Sequence, residues 1–211
     1  MVDLTRRAAL VGLSALALCL TTRIPFARAD ESAPAVIQAF YAGLIDVMKQ
    51  ATTLGFDGRV KKLEPLVDAS YDLPLMTRIT VGPQWNTLTP EQQDKVKQSF
   101  RAYTIATYAS RFDGFSGERF EVSPTTEPSQ GSDLIVSTKL IVKTGDPVEL
   151  NYLMRNAGSG WRIIDVFLSG TISELATRRS EFSAVLRRDG IDGLINTLND
   201  HVKEMQSRPK G

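Results

Sequence analysis

Residues 148–168 read VELNYLMRNAGSGWRIIDVFL and contain two runs in which apolar and polar side chains alternate. In the first run every second residue from Val148 to Met154 is apolar, and residues 161–167 repeat this period around Asp165. A period of two is typical of a strand with one buried face. The residues between the runs, 156–160, are Asn, Ala, Gly, Ser and Gly, a composition that favours a tight turn. The stretch therefore predicts an antiparallel hairpin.

The same period appears in two shorter runs on the N-terminal side of this hairpin. Phe120 and Val122 alternate with polar residues, and residues 134–138 do the same with Leu, Val and Thr. The intervening segments, PSQG at 128–131 and TGDP at 144–147, consist of turn-forming residues. Four successive strands joined by short turns predict an antiparallel meander.

Helical periodicity dominates on both sides of the predicted sheet. The predicted helices run from Ala33 to Gly55, over 61–68, over 73–81, from Thr89 to about Phe112, from Ser173 to about Arg188 and from Ile191 to about Ser207. Helices grouped against one antiparallel sheet define an α+β domain. We predict a curved four-stranded meander covered by N- and C-terminal helices, with an apolar pocket between the two layers.

The N-terminal 29 residues have the pattern of a cleaved export signal. Arg6 and Arg7 precede an apolar run from Ala8 to Leu20, and the small-x-small triplet 27–29 follows, which predicts cleavage before Asp30. The run is shorter than the roughly 20 residues that a spanning helix needs. An uncleaved anchor is the alternative, and the arginine pair leaves general and twin-arginine export both open. Residues 30–211 are then expected to form a single domain.

The composition excludes several classes of function. The 25 basic and 24 acidic residues give a formal charge of +1, which argues against a nucleic-acid partner. The single cysteine, Cys19, lies in the predicted signal, so the mature chain has neither disulfides nor thiol chemistry. The single histidine, His201, has no companion ligands for zinc and is expected at a partly buried helix edge. No phosphate loop, dinucleotide fingerprint or nucleophile elbow occurs, and we expect neither metal nor cofactor.

Two features leave a second interpretation open. Asp165 has apolar neighbours in its strand, and a carboxylate facing an apolar pocket has a raised pKa and could act as a general base. The other interpretation is that Asp165 accepts structural hydrogen bonds at one end of the sheet. The arginine pairs 178–179 and 187–188 form either a solvated helix face or a contact for lipid phosphates or an acidic surface.

Several motifs, in their order and spacing, resemble the periplasmic phospholipid-binding proteins of the Mla, or toluene-tolerance, type (MlaC-like). The resemblance rests on residues 82–92 (GPQWNTLTPEQ), 112–118 (FDGFSGE), 160–166 (GWRIIDV), 179–182 (RSEF) and 190–195 (GIDGLI). It covers nearly the whole mature chain. Residues 170–175 and Arg178 depart from the usual pattern and are more similar to the branch associated with hopanoid biosynthesis, HpnM. A phospholipid and a hopanoid therefore both remain open as cargo.

The resemblance implies a carrier without catalytic activity. It would receive lipid from an inner-membrane transporter complex, bury the apolar part and cross the periplasm to an outer-membrane acceptor. The alternatives are a small cone-fold enzyme that uses Asp165, or a non-catalytic adaptor of the cell envelope. The side chains expected to line the lipid pocket are Phe40, Leu44, Met76, Ile79, Phe100, Tyr103, Leu150, Tyr152, Met154, Ile163 and Phe167.

Overall fold

A computed structural model describes residues 32–156, 158 and 160–208. The predicted export signal lies outside these residues. The helices are α1 (Ala33–Lys49), α2 (Ala51–Ser70), α3 (Leu73–Val81), a 3₁₀ helix (Gly82–Thr87), α4 (Pro90–Arg111) and α5 (Glu174–Ser207). The strands are β1 (Arg119–Pro128), β2 (Leu134–Ile141), β3 (Val148–Asn156), β4 (Trp161–Leu168) and β5 (Ile172–Ser173). The predicted α+β class is confirmed.

The sheet is an antiparallel meander in the order β1-β2-β3-β4-β5. Its first four strands are the four predicted from alternation, and the fifth adds two residues that pair with the end of β4. Two irregularities were not predicted: one lies in β1 between Val122 and Thr126, and the other lies in β4. Asp165 pairs with Leu153 and Ile163 pairs with Met154, which leaves Ile164 as an extra residue in β4. This β-bulge reverses the side-chain alternation for the rest of the strand.

The predicted helix breaks at Gly55 and Gly190 are both present, each as a kink between two helical segments. Gly55 has φ 62° and ψ −174°, which are not helical values, so one helical segment of α2 ends there and another begins after a bend. Gly190 bends α5 in the same way. The first break falls earlier, at Gln50, between α1 and α2. The predicted start of α4 is confirmed, since the Thr89 side chain and Gln92 cap each other's backbone N–H groups.

A buried arginine satisfies backbone carbonyls that these helix ends leave free. Arg59 is 7% exposed; its Nε donates to the Ala109 carbonyl at 2.8 Å and its Nη1 to the Ala51 carbonyl at 3.2 Å. Ala51 lies four residues before the bend at Gly55, and Ala109 lies in the last turn of α4, where helical carbonyls have no partner of their own. One side chain thus joins the bend of α2 to the end of α4.

The core lies between the helices and the inner face of the sheet. Phe40 and Leu44 of α1 are 1% and 0% exposed, and Met154 and Ile163 of the sheet are fully buried. The hydroxyl of Tyr41 lies 2.7 Å from the Thr138 hydroxyl and 2.9 Å from the Tyr152 hydroxyl, which fixes α1 to β2 and β3. No helix in the described ranges combines the length and the apolar character needed to cross a membrane.

Candidate functional site

An apolar cavity of about 130 Å³ lies between α3, α4 and α5 on one side and β3 and β4 on the other. Most of its wall is aromatic or aliphatic, and the polar side chains are few. The aromatic and aliphatic lining residues are Tyr71, Met76, Phe100, Tyr103, Tyr108, Phe112, Leu150, Tyr152, Val166, Leu168 and Leu175. The polar lining residues are Thr104, Thr107, Arg111, Glu174 and Arg178. We refer to these sixteen residues as the cavity.

Helix α4 supplies one wall through a single stripe of side chains. Positions 100, 103, 104, 107, 108 and 111 are spaced by three and four residues, so they share one face of the helix. The stripe begins at buried Phe100 and ends at exposed Arg111. The cavity therefore runs from the core towards solvent along the last three turns of α4.

The sheet supplies the opposite wall through paired residues. Leu150 of β3 lies opposite Leu168 of β4, and Tyr152 lies opposite Val166. All four side chains face the cavity, and the two of β4 do so because they follow the bulge at Ile164. Without the extra residue, strict alternation from Ile163 would place Phe167 on this wall.

The floor of the cavity is a group of tyrosines whose hydroxyls bind one another. The Tyr71 and Tyr108 hydroxyls are hydrogen-bonded, and the Phe40 ring lies edge-on to both rings, with centroids 5.6 and 5.3 Å away. Tyr152 is joined to Tyr41 as described above. Throughout the described part of the chain, every fully buried side-chain nitrogen or oxygen has a hydrogen-bond partner. The floor thus offers apolar ring surface to a ligand and no unsatisfied polar atom.

Burial raises the pKa of all five tyrosines in the chain above the ordinary value near 10. The affected residues are Tyr41, Tyr71, Tyr103, Tyr108 and Tyr152. For Tyr108 the loss of hydration raises the pKa to about 12, although its hydrogen bond to Tyr71 acts in the opposite direction. The phenolate form is disfavoured because the cavity and the core offer it little hydration.

These tyrosines predict a loss of stability in alkali. A raised pKa in the folded state means that the contribution to stability is complete below the unfolded value near 10 and is lost as the pH rises through the folded value. In a spectrophotometric titration we expect little tyrosinate below about pH 11, followed by a cooperative rise as the protein unfolds. Urea-unfolded protein, as the control, should titrate near pH 10. A midpoint near 10 in the folded protein would contradict the buried arrangement.

The polar side chains of the cavity lie near its open end. Arg178 is 20% exposed; it pairs with Glu181 at 2.9 Å and with Glu174 at 3.4 Å, and its guanidinium lies 5.2 Å from the centre of the Tyr103 ring. Arg111 is exposed and forms no ion pair with any residue that the structure describes. The interpretation of the arginine pairs as a solvated face holds for exposed Arg179, Arg187 and Arg188, and it was wrong for Arg178.

The structure brings five of the eleven predicted lining residues together around the cavity. These are Met76, Phe100, Tyr103, Leu150 and Tyr152. The other six lie elsewhere. Phe40, Leu44, Met154 and Ile163 are buried in the core, Ile79 packs partly buried against it, and Phe167 lies on the outer face of the sheet after the bulge.

Asp165 is buried, at 6% exposure, but it does not line the cavity. Its carboxylate accepts hydrogen bonds from the Val166 N–H at 2.7 Å, the Leu175 N–H at 3.0 Å and the Ser173 hydroxyl at 2.5 Å. Three donors that hold it between β4 and the start of α5 suit a structural role and leave no free oxygen aimed at a ligand. Asp165 and Phe167 lie on the same face of β4, as predicted, but this is not the face that lines the cavity.

His201 is more exposed than expected. Its side chain is 50% exposed, its Nδ1 lies 3.3 Å from a Glu204 oxygen, and its ring lies 6.0 Å from that of Tyr103. The helix face shared with Leu194 and Leu198 predicted partial burial, but half of the His201 side chain is exposed. His201 lies outside the cavity.

A helix-covered sheet with an apolar cavity between its layers is an architecture typical of ligand-binding proteins. Residues 38–200 match the family described as MlaC protein. The chain belongs to this family, and the MlaC-like identification made from its motifs is confirmed. Assignment to the hopanoid-associated branch has no such support.

The proteins that are similar to this chain include the following two. One is toluene tolerance protein ttg2D of Pseudomonas putida, 24% identical over 138 residues, which are 65% of this chain and 61% of that protein. The other is the solved structure of a phospholipid-binding protein from Ralstonia solanacearum in complex with a phospholipid. It has a TM-score of 0.72 and 22% identity, and the match covers 82% of this chain and 98% of that one. The match to the second protein shows that the two folds are alike.

Proposed function

We propose that this protein is a lipid carrier of the periplasm, which holds the apolar part of a phospholipid in the cavity. The observation that carries the proposal is the apolar cavity, in a fold whose Ralstonia neighbour was solved with a phospholipid. Residues 1–29 would direct export, and residues 30–211 would form the single lipid-binding domain. The lipid would pass between an inner-membrane transporter complex and an outer-membrane acceptor, with no chemical step.

The energetics of hydrocarbon in water support a carrier. Each methylene group removed from water is worth about 0.8 kcal/mol, so an acyl chain cannot leave a membrane at useful rates without an apolar container. The cavity, at about 130 Å³, is smaller than the roughly 300–1,000 Å³ of typical ligand sites. Loading therefore requires the helical wall and the sheet wall to move apart. The five predicted residues that now lie in or against the core remain proposed contacts only if that movement exposes them, whereas Phe167, on the outer face of the sheet, would stay outside the cavity.

A hopanoid is the second candidate cargo, since residues 170–175 and Arg178 are those that resemble the hopanoid-associated branch. The enzyme alternative loses its main support, because Asp165 lies off the cavity wall and its oxygens are occupied by three donors. An adaptor domain would be expected to have a filled core in place of the cavity.

The test is to express the full chain in a host that makes hopanoids and to purify the protein from the periplasm. We expect native mass spectrometry to show a chain beginning at Asp30 with close to one bound lipid, and the organic extract to identify that lipid as phospholipid or hopanoid. Delipidated protein should reload from vesicles. Protein that is empty on purification and stays empty after incubation with both lipids would contradict the carrier.

A further inference from the structure

Arg111 occupies the boundary between the cavity and solvent. It is the last residue of α4 and the last member of the stripe that lines one wall, and it is exposed while still lining the cavity. A ligand whose chain lies along this stripe, towards Phe100, would leave the cavity beside the Arg111 guanidinium.

The other charged side chains that line the cavity are already engaged in ion pairs. Glu174 is paired with Arg178, and Arg178 also pairs with Glu181 outside the cavity. Arg111 makes neither an ion pair nor a hydrogen bond to the parts of the chain that the structure describes. Its five N–H donors are free to bind an anion, and a guanidinium matches two oxygens of a phosphate at once.

We propose that Arg111 binds the phosphate of the lipid head group and thereby makes the cavity selective for phosphorylated over neutral amphiphiles. This inference rests on the proposed function, because the apolar chain must occupy the cavity for the head group to reach Arg111. Burial of the acyl chain would provide most of the binding free energy, and Arg111 would determine which head group is preferred. The positive charge of Arg111 in the last turn of α4 also interacts favourably with the helix dipole. This interaction affects the stability of the protein but not its preference for a ligand.

The test uses two single-chain lipids with the same acyl group, lysophosphatidylglycerol and monoacylglycerol, titrated calorimetrically into delipidated protein at low salt. We expect the wild type to bind the phosphorylated lipid about fivefold to tenfold more tightly. Arg111→Gln should reduce this preference to less than twofold, and Arg111→Lys should retain part of it because the charge remains. Arg187→Gln is the matched control, since Arg187 is exposed on α5 and does not line the cavity.

The outcomes separate this inference from the carrier itself. If the wild type binds both lipids equally well, or if the preference survives in Arg111→Gln, the role of Arg111 is overturned and the carrier stands. If neither lipid binds, both fail. Inorganic phosphate alone is a third titrant. If the wild type binds inorganic phosphate and Arg111→Gln does not, Arg111 is assigned to free phosphate, and the proposal that it binds a lipid head group is overturned. Thermal unfolding checks that each variant is folded. If Arg111→Gln does not fold, Arg111→Lys is compared with the wild type in its place.

Discussion

Replacing Val166 with tryptophan is expected to reduce the lipid bound to the purified protein at least tenfold. Val166 is a half-buried residue of β4 that faces the cavity opposite Tyr152. An indole at this position would occupy much of a space of about 130 Å³ and would block the path of an acyl chain. Overpacking typically costs about 1–3 kcal/mol, which a folded domain tolerates. Native mass spectrometry of protein purified from the periplasm measures the effect.

The neighbouring residue provides a matched control. Phe167 lies on the opposite face of the same strand, so Phe167→Trp should retain close to the wild-type amount of lipid. Val166→Phe should give an intermediate loss. Full lipid content in Val166→Trp, or equal losses in the two tryptophan variants, would show that the cavity does not hold the ligand.

Replacing Asp165 with alanine is expected to lower the free energy of unfolding by about 3 kcal/mol. The substitution leaves two backbone N–H groups, of Val166 and Leu175, and the Ser173 hydroxyl without their acceptor. Each buried donor without a partner costs about 1–3 kcal/mol, and relaxation of the chain recovers part of the sum. Urea denaturation of the delipidated protein measures the change.

Asp165→Asn serves as the control because an amide oxygen still accepts from one or both backbone groups. It should cost about 1–2 kcal/mol and should leave lipid binding unchanged. A loss below 1 kcal/mol for the alanine variant would contradict the structural role. Unchanged stability combined with loss of a catalytic activity would restore the enzyme interpretation.

The sheet could be predicted from the sequence because its turns and its alternation agree. The turn residues at 128–131, 144–147 and 156–160 separate four runs of period two, and β1 to β4 lie where those runs are. The bulge at Ile164 could not be predicted, since an extra apolar residue inside an apolar strand changes no pattern. That single residue decides whether Phe167 or Val166 faces the cavity.

The cavity itself was predicted in part. Phe100, Tyr103 and Tyr108 lie on the helix face that periodicity indicates, but periodicity does not show whether such a face meets a filled core or a space. Arg178 illustrates the same limit, because an arginine on a helix looks solvated until a tertiary contact places the Tyr103 ring of α4 beside it. Gly55 and Gly190 predict breaks correctly, but only packing decides that each break is a bend.

Under the proposed function, a lipid held between the layers would become part of the folding equilibrium. A cavity of about 130 Å³ costs about 3 kcal/mol at roughly 24 cal/mol per Å³, relative to the same interior when it is filled. A ligand that binds only the folded state adds to stability in proportion to the logarithm of its free concentration over its dissociation constant. The proposed carrier would then be more stable when loaded with lipid, and more open to proteolysis when empty. Lipid supply would thus set how long each molecule survives between deliveries.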